Sequence, residues 1–135
     1  MRVLAAEDNR TNQLVFRKMV KDLNLDLTFV DNGREAVDHF KQLKPDLIFM
    51  DISMPEMDGK EAARAIRVYE NTNGGHVPIV ALTAHAMDGD DTSILAAGID
   101  QYLTKPLRKS AITAVLLAHC PENARLSAPQ ADEVA

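Results

Sequence analysis

The stretch Leu47-Ile48-Phe49-Met50-Asp51 places four large apolar residues directly before an acid. No polar residue alternates with the apolar ones, so both faces of a strand here would be covered, as in a parallel sheet between two layers of helices. A carboxylate at the end of such a strand is costly to bury unless a partner compensates it. The stretch therefore predicts a central parallel strand that ends in a functional aspartate, Asp51.

Short apolar runs alternate with amphipathic stretches along the rest of the chain. The spacing predicts strands and helices in strict alternation, which makes five β-α units: strands at 3–6, 27–30, 47–50, 79–82 and 101–104, and helices at 11–23, 33–43, 59–68, 88–97 and 107–119. This order predicts one α/β domain over residues 1–120, a three-layer sandwich with a five-stranded parallel sheet.

The C-terminal residues 121–135 have a different composition, because they are rich in Ala, Pro, Glu and Asp and poor in large apolar side chains. This composition predicts a disordered tail or the stub of a linker. Together with a chain that starts directly at a strand, such a tail favours a piece excised from a larger protein.

Composition excludes several classes of function. The 135 residues carry 20 acidic and 15 basic side chains, a net charge of −5, which disfavours a nucleic-acid surface. The one cysteine cannot form an internal disulfide, which suits a reducing compartment. No apolar run approaches the roughly 20 residues that span a bilayer. We expect a cytoplasmic domain without direct membrane contact, whose oligomeric state stays open.

Ligands of open parallel sheets bind beyond the carboxyl ends of the strands. The residues that directly follow the apolar runs are therefore the candidates for a site. Glu7 and Asp8 follow the first run, Asp51 the third, Thr83 the fourth and Lys105 the fifth. The topology predicts that three carboxylates, one hydroxyl and one amine meet at one edge of the sheet.

This set of side chains points to phosphoryl chemistry. Two carboxylates at about 4 Å repel by about 4 kcal/mol at an effective dielectric of about 20, so a cation is expected among them. Oxygen ligands favour Mg²⁺, which commonly also binds a phosphate. Lys105 and Thr83 suit the oxygens of a phosphoryl group, and Asp51 can act as the nucleophile that forms an aspartyl phosphate.

The sequence resembles the receiver domains of two-component response regulators over about residues 2 to 119. Four motifs carry the resemblance: Glu7-Asp8-Asn9, Met50-Asp51-Ile52-Ser53-Met54-Pro55-Glu56-Met57-Asp58-Gly59, Ala81-Leu82-Thr83-Ala84 and Tyr102-Leu103-Thr104-Lys105-Pro106. The resemblance implies a (βα)5 fold of flavodoxin-like topology. It also implies that Asp51 is the phosphoacceptor.

The resemblance further implies a role for each site residue. Glu7, Asp8, Asp51 and the Ser53 carbonyl would surround Mg²⁺, with Asp8 and Asp51 as the direct carboxylate ligands. The phosphoryl group would be contacted by the side chains of Thr83 and Lys105 and by three backbone N–H groups, those of Ile52, Ser53 and Ala84.

The same resemblance implies a switch and a context. Tyr102 would be the aromatic residue that turns inward when Thr83 moves toward the phosphoryl group. A narrower resemblance, to the receivers of hybrid sensor histidine kinases, rests on Asn12-Gln13 and on residues 81–87 and 98–107. It implies a phosphohistidine donor on a kinase or a histidine-phosphotransfer protein, docked beside Asn12 and Lys18 of the first helix. The domain would then be the cytoplasmic part of a sensor kinase, or a single-domain regulator, and no conventional turnover enzyme by itself.

Three other functions stay open on the sequence alone. A phosphohydrolase of the haloacid dehalogenase type also uses a strand-end Asp and Mg²⁺, but it needs a second Asp where this chain has Ser53. A flavin-binding module needs a phosphate loop after the first strand, where Glu7 and Asp8 would repel the phosphate. A pseudo-receiver, a binding module that is not phosphorylated, usually lacks one of the acids, the Thr or the Lys.

Overall fold

The structure is a computed structural model, and it describes residues 2–21, 23, 25–52, 59–83, 96–104 and 107–119. Five strands and four helices lie in this part of the chain: β1 (Arg2–Ala6), α1 (Arg10–Met19), β2 (Asp26–Val30), α2 (Gly33–Leu43), β3 (Leu47–Asp51), α3 (Gly59–Asn73), β4 (Ile79–Thr83), β5 (Gln101–Thr104) and α4 (Lys109–His119). None of these helices has the length and apolar character that crossing a bilayer requires.

The five strands form a single parallel sheet in the order β2-β1-β3-β4-β5. The chain leaves β1 toward one side to form β2 and then returns to form β3 on the other side. Such a reversal of strand order opens a crevice at the carboxyl ends of the two strands, here β1 and β3. The predicted α/β sandwich with a five-stranded parallel sheet is confirmed.

The core consists of two layers, one on each face of the sheet. One layer contains Phe16, Phe49 and Leu116, so it lies between the sheet and helices α1 and α4. The other contains Phe40 and Ile66, so it lies under α2 and α3. All five residues of β3 and of β4 are buried, because helices cover these strands on both faces.

Two of the described helices, α1 and α3, end at a different residue from the one that the sequence predicts. Helix α1 ends at Met19 rather than at residue 23, because the chain turns after Val20, whose carbonyl accepts from the Leu23 N–H at 3.0 Å. Leu23 still packs on the core, which is why its spacing suggested a longer helix. Helix α3 continues to Asn73, whose side chain donates to the Tyr69 carbonyl at 3.0 Å and caps the last turn.

Other predictions fall partly or wholly outside the described residues. The expected helix over 88–97 lies there except for its last two positions, and so does the tail over 121–135. Helix α4 begins at Lys109 rather than at residue 107. Gly98 has a φ of +100°, as expected for a glycine that ends a helix in the left-handed conformation.

A substitution of Phe49 tests this packing. Its side chain is fully buried, and its ring meets the Phe16 ring edge-on with 5.0 Å between the ring centroids. We expect Phe49→Ala to lower the free energy of unfolding by about 3–5 kcal/mol, and Phe49→Leu by less. Urea unfolding measures both. The control is Leu117→Ala at a side chain that is 58% exposed, which should change stability by less than about 0.5 kcal/mol. Equal losses in core and control would contradict the packing.

Candidate functional site at the carboxyl edge of the sheet

Four of the five side chains predicted from strand ends belong to the described residues and lie at the same edge of the sheet. Glu7 directly follows β1, Asp51 is the last residue of β3 and Thr83 is the last residue of β4. All three are buried, with 4%, 4% and 7% exposure, whereas Asp8 is exposed. Polar side chains at the ends of apolar strands therefore line the carboxyl edge of the sheet, and three of them are buried.

The three acids form one cluster. Glu7, Asp8 and Asp51 each offer one carboxylate oxygen, and these oxygens lie within 4.8 Å of one another. At such separations each pair of ionised carboxylates repels by about 3–4 kcal/mol at an effective dielectric of about 20. A cation among them would remove this repulsion, and a set made only of oxygens suits a hard divalent metal ion. The arrangement can thus hold a metal ion.

Helix α1 fixes the position of Glu7. The Glu7 N–H donates to the Val30 carbonyl at 2.9 Å, which extends the β1–β2 pairing by one residue. The Gln13 side chain donates to the Glu7 carbonyl at 2.6 Å, and Glu7 Oε2 accepts from the Asn9 N–H at 3.1 Å. Asn9 is also the N-cap of α1, since its side chain accepts from the Asn12 N–H. The loop that carries Asp8 is held at both ends.

The start of helix α3 fixes the position of Asp51. The Gly59 N–H donates to the Ile52 carbonyl at 3.1 Å, which brings the helix onto the end of β3. A Cβ at Gly59 would lie 2.5 Å from the Asp51 carbonyl oxygen. Only glycine permits this close approach without displacing the strand end.

One predicted phosphoryl ligand is already engaged. The Ile52 N–H donates to the Leu82 carbonyl at 3.1 Å, because the β3–β4 pairing continues one residue beyond Asp51. This N–H is thus engaged with β4 in this structure, and its predicted contact with a phosphoryl group stays a prediction.

Thr83 and Tyr102 lie on neighbouring strands and on the same face of the sheet. Ala81 pairs with Tyr102 and Thr83 pairs with Thr104, so alternate residues place Thr83 and Tyr102 on one side. Tyr102 is half-buried and packs against the core layer under α2 and α3. This arrangement is what a coupled pair of side chains would need.

Three predicted site residues, Ser53, Ala84 and Lys105, lie outside the described residues. Each of them is close in sequence to a described part of the site. Lys105 follows Thr104, which pairs with Thr83 at the end of β4 and β5.

Sequence reasoning missed a second polar cluster at the opposite edge of the sheet. Arg67 binds both Glu70 and Asp100, and Asp100 also contacts the largely exposed His76. One feature of the sequence points to it: Glu70 falls four residues after Ile66, on the core-facing side of α3, where an acid needs a partner.

Comparison with known proteins identifies the family. The sequence profile of the response regulator receiver domain matches residues 3–117. The chain belongs to this family. The prediction of a receiver with a role in phosphorelay signalling is thereby confirmed.

Several relatives of this receiver are parts of hybrid kinases. The hybrid signal transduction histidine kinase I of Dictyostelium discoideum is 41% identical over 120 residues, which cover 85% of this chain but 7% of that protein. The sensor protein GacS of Pseudomonas syringae pv. syringae is 42% identical over 117 residues, 86% of this chain and 13% of the relative. The receiver thus spans only a small part of the length of these relatives.

Solved structures show the same fold. The receiver domain of a sensor histidine kinase from Pseudomonas aeruginosa PAO1 has a TM-score of 0.79 and 39% identity, over 87% of this chain and 95% of that chain. That structure holds a magnesium ion in its active-site cleft. The receiver of Saccharomyces cerevisiae Ssk1, solved with the phosphotransfer protein Ypd1, reaches a TM-score of 0.83 at 35% identity, over 89% of either chain.

Removal of the hydrogen bond from Gln13 to the Glu7 carbonyl should lower the stability of the domain. We expect Gln13→Ala to lower the free energy of unfolding by about 1–3 kcal/mol, because it leaves a buried acceptor without this donor. The matched control is Gln42→Ala on the exposed face of α2, which should change stability by less than about 0.5 kcal/mol. Urea unfolding of both variants measures the difference. A loss for Gln13→Ala no larger than the control's would contradict the role of Gln13.

Proposed function

We propose that this receiver accepts a phosphoryl group on Asp51 from a phosphohistidine of a histidine kinase or a histidine-phosphotransfer protein, and that it requires Mg²⁺. The observation that carries the proposal is the cluster of Glu7, Asp8 and Asp51, whose carboxylate oxygens lie within 4.8 Å of one another at the carboxyl edge of the sheet. Asp51 ends the central strand, and its backbone is held by β4 and α3.

The donor set fits Mg²⁺, because all its members are oxygens and two of the three carboxylates are buried. Asp8 and Asp51 would bind the ion directly, and Glu7 and the Ser53 carbonyl would complete its surroundings. When bound, Mg²⁺ supplies positive charge to the oxygens of the transferred phosphoryl group. This charge also offsets the repulsion that the three acids exert on each other.

In the transfer step a carboxylate oxygen of Asp51 forms a bond to phosphorus. The bond between phosphorus and one imidazole nitrogen of the donor breaks, and the imidazole, which carries a proton on its other ring nitrogen, leaves as a neutral group with the electron pair. Lys105 and the Thr83 hydroxyl would bind phosphoryl oxygens, helped by the N–H groups of Ser53 and Ala84. The catalytic work of the protein is thus positioning and charge compensation rather than acid–base chemistry.

Phosphorylation would shift an equilibrium between two conformations of the domain. The position of Thr83 and Tyr102 on one face of neighbouring strands supports this proposal, because a displacement of Thr83 would change the surroundings of the half-buried Tyr102 ring. The output would be a changed affinity for a partner protein.

Helix α1 offers a surface for the phosphodonor protein. It begins three residues after Glu7, and its exposed side includes Leu14 at 58% and Val15 at 42% exposure, together with Lys18. Asn12, expected to be exposed, is half-buried. An apolar exposed patch beside the acids suits a docking helix that must bring a histidine to Asp51.

We propose the context of a hybrid sensor histidine kinase, with residues 1–120 as the receiver and 121–135 as a tail or linker. The kinase relatives in which this receiver covers a small share of the length support this context. The single cysteine favours a cytoplasmic location.

The first test of the function is phosphoryl uptake from acetyl phosphate with Mg²⁺. We expect the wild-type protein to gain the mass of one phosphoryl group and Asp51→Asn to gain none, because an amide cannot form the acyl phosphate. Intact mass spectrometry measures both. The control Asp38→Asn changes an exposed acid of α2 and should keep full uptake. Uptake that persists in Asp51→Asn would place the nucleophile elsewhere, and steady turnover of a phosphomonoester would favour the hydrolase.

The second test separates the metal site from the nucleophile. We expect Asp8→Asn to weaken Mg²⁺ binding about tenfold or more, because a lost charged ligand costs at least about 1.5 kcal/mol. Isothermal titration with Mg²⁺ measures this change. The control is Asp26→Asn at the first residue of β2, at the opposite ends of the strands from the three acids, and it should leave the affinity for Mg²⁺ unchanged. An unchanged titration for Asp8→Asn would reject the assignment of the metal ligands.

A further inference from the structure

The side chain of Arg67 on α3 makes four hydrogen bonds at the amino edge of the sheet. Its Nε donates to the Gly98 carbonyl at 2.8 Å, and its Nη2 donates to Asp100 Oδ2 at 2.7 Å. Its Nη1 donates to the Val77 carbonyl at 2.8 Å and to Glu70 Oε1 at 2.6 Å. We call Arg67, Glu70 and Asp100 the Arg67 clamp. Three nitrogens of one planar guanidinium thus bind three separate segments of chain.

The two acids of the clamp also accept hydrogen bonds from backbone N–H groups at the start of β4. Glu70 is 7% exposed, and its second oxygen accepts from the Val77 N–H at 2.5 Å, just before β4. Asp100 Oδ2 also accepts from the Ile79 N–H at 2.8 Å, and the Asp100 N–H donates to the Ile79 carbonyl at 3.0 Å. The clamp therefore ties the residues before β4 and the residues before β5 to the same helix.

The fit between Arg67 and Gly98 is close. Gly98 has a φ of +100°, and a Cβ at this position would lie 2.6 Å from Arg67 Cγ. The carbon stem of Arg67 thus packs over a backbone that only glycine adopts without strain. Gly98 and Asp100 both precede β5, so this contact fixes the chain at the point where the strand begins.

Asp100 stays ionised within the clamp. Burial alone would raise the pKa of its carboxyl, but the hydrogen bond from the Ile79 N–H, the contact with His76 and the charge of Arg67 hold the pKa below its usual range. His76 Nε2 lies 2.7 Å from Asp100 Oδ1, on the solvent side. At neutral pH the Asp100 carboxylate is thus charged opposite the guanidinium of Arg67.

Strand β5 is held by less apolar burial than its neighbour β4 and the central strand β3. It is an outermost strand of the sheet and pairs with β4. Its four residues are exposed or half-buried, whereas all residues of β3 and β4 are buried. Little apolar burial therefore holds β5 in place. A shift of the chain at Asp100 would be carried along four residues to Thr104, which pairs with Thr83.

We propose that Arg67 is a positioning residue for phosphoryl transfer, because the Arg67 clamp fixes where β5 places Tyr102 relative to Thr83 and Asp51. This inference rests on the function proposed above. The four hydrogen bonds described for Arg67 reach α3 and the segments before β4 and β5, and none of them reaches β1 or β3, whose ends carry the metal-binding acids. The clamp should therefore act on the phosphoryl half of the site and spare the metal half.

Two variants weaken the clamp while keeping the domain folded. Arg67→Lys keeps the charge but cannot bind three segments at once, and Asp100→Asn removes the charge that faces Arg67. Arg64→Lys, one turn earlier on the exposed side of α3, is the matched control. For each protein we measure the Mg²⁺ dissociation constant, the rate of uptake from acetyl phosphate at saturating Mg²⁺, and amide hydrogen exchange of β5 and β3.

We expect both clamp variants to take up phosphoryl about tenfold or more slowly, because small misplacements of binding groups cost such factors. Their Mg²⁺ dissociation constants should stay within about twofold of wild type, and the amides of β5 should exchange faster while those of β3 do not. Arg64→Lys should match wild type in all three measurements.

Other outcomes overturn the inference in recognisable ways. Unchanged uptake in both variants, with or without faster exchange in β5, would make the clamp purely structural. A parallel loss of Mg²⁺ affinity and uptake would indicate general destabilisation instead of positioning. If wild type itself takes up no phosphoryl group, the proposed function fails, whereas normal wild-type uptake with normal variant uptake removes the clamp alone.

Discussion

Mutual repulsion among three carboxylates is the constraint on which the rest of the structure depends. Glu7, Asp8 and Asp51 place oxygens within 4.8 Å of one another, and burial of two of these acids deprives them of solvent. A soft scaffold would relax by moving the acids apart. The scaffold here is stiff, because β3 and β4 are covered on both faces and α1 holds the loop after β1 through Gln13. The three carboxylates are therefore held close together, in an arrangement that could hold a cation.

Helix α3 connects the two edges of the sheet. Its first residue, Gly59, approaches the Asp51 carbonyl so closely that a Cβ would not fit. Two turns later Arg67 and Glu70 bind the segments before β4 and β5. A helix fixed at both points cannot slide along the sheet without disturbing either the strand that ends in Asp51 or the strand that carries Tyr102. Helix α3 thus contacts the sheet at both the carboxyl and the amino ends of the strands.

Much of this architecture could be predicted from the sequence. Apolar runs fixed the strands, and the rule for the carboxyl ends of parallel strands brought Glu7, Asp51 and Thr83 together. The end of α1 was predicted wrongly because Leu23 packs on the core without being helical, and periodicity records burial rather than conformation. The Ile52 N–H and the Arg67 clamp depend on which strands become neighbours, so no local pattern reveals them.

The strand order divides the site into two halves with separate supports. Asp51 ends β3, and Glu7 and Asp8 directly follow β1, so the acids are carried by the two strands nearest the centre of the sheet, and all of β3 is buried. Tyr102 lies on β5, an edge strand that is partly exposed and therefore easier to displace. A rigid half suits the binding of a cation at fixed distances, and a softer half suits a response to what binds. A switch built on β5 must nevertheless begin from one defined position, and the hydrogen bonds of Arg67 define that position where the strand begins.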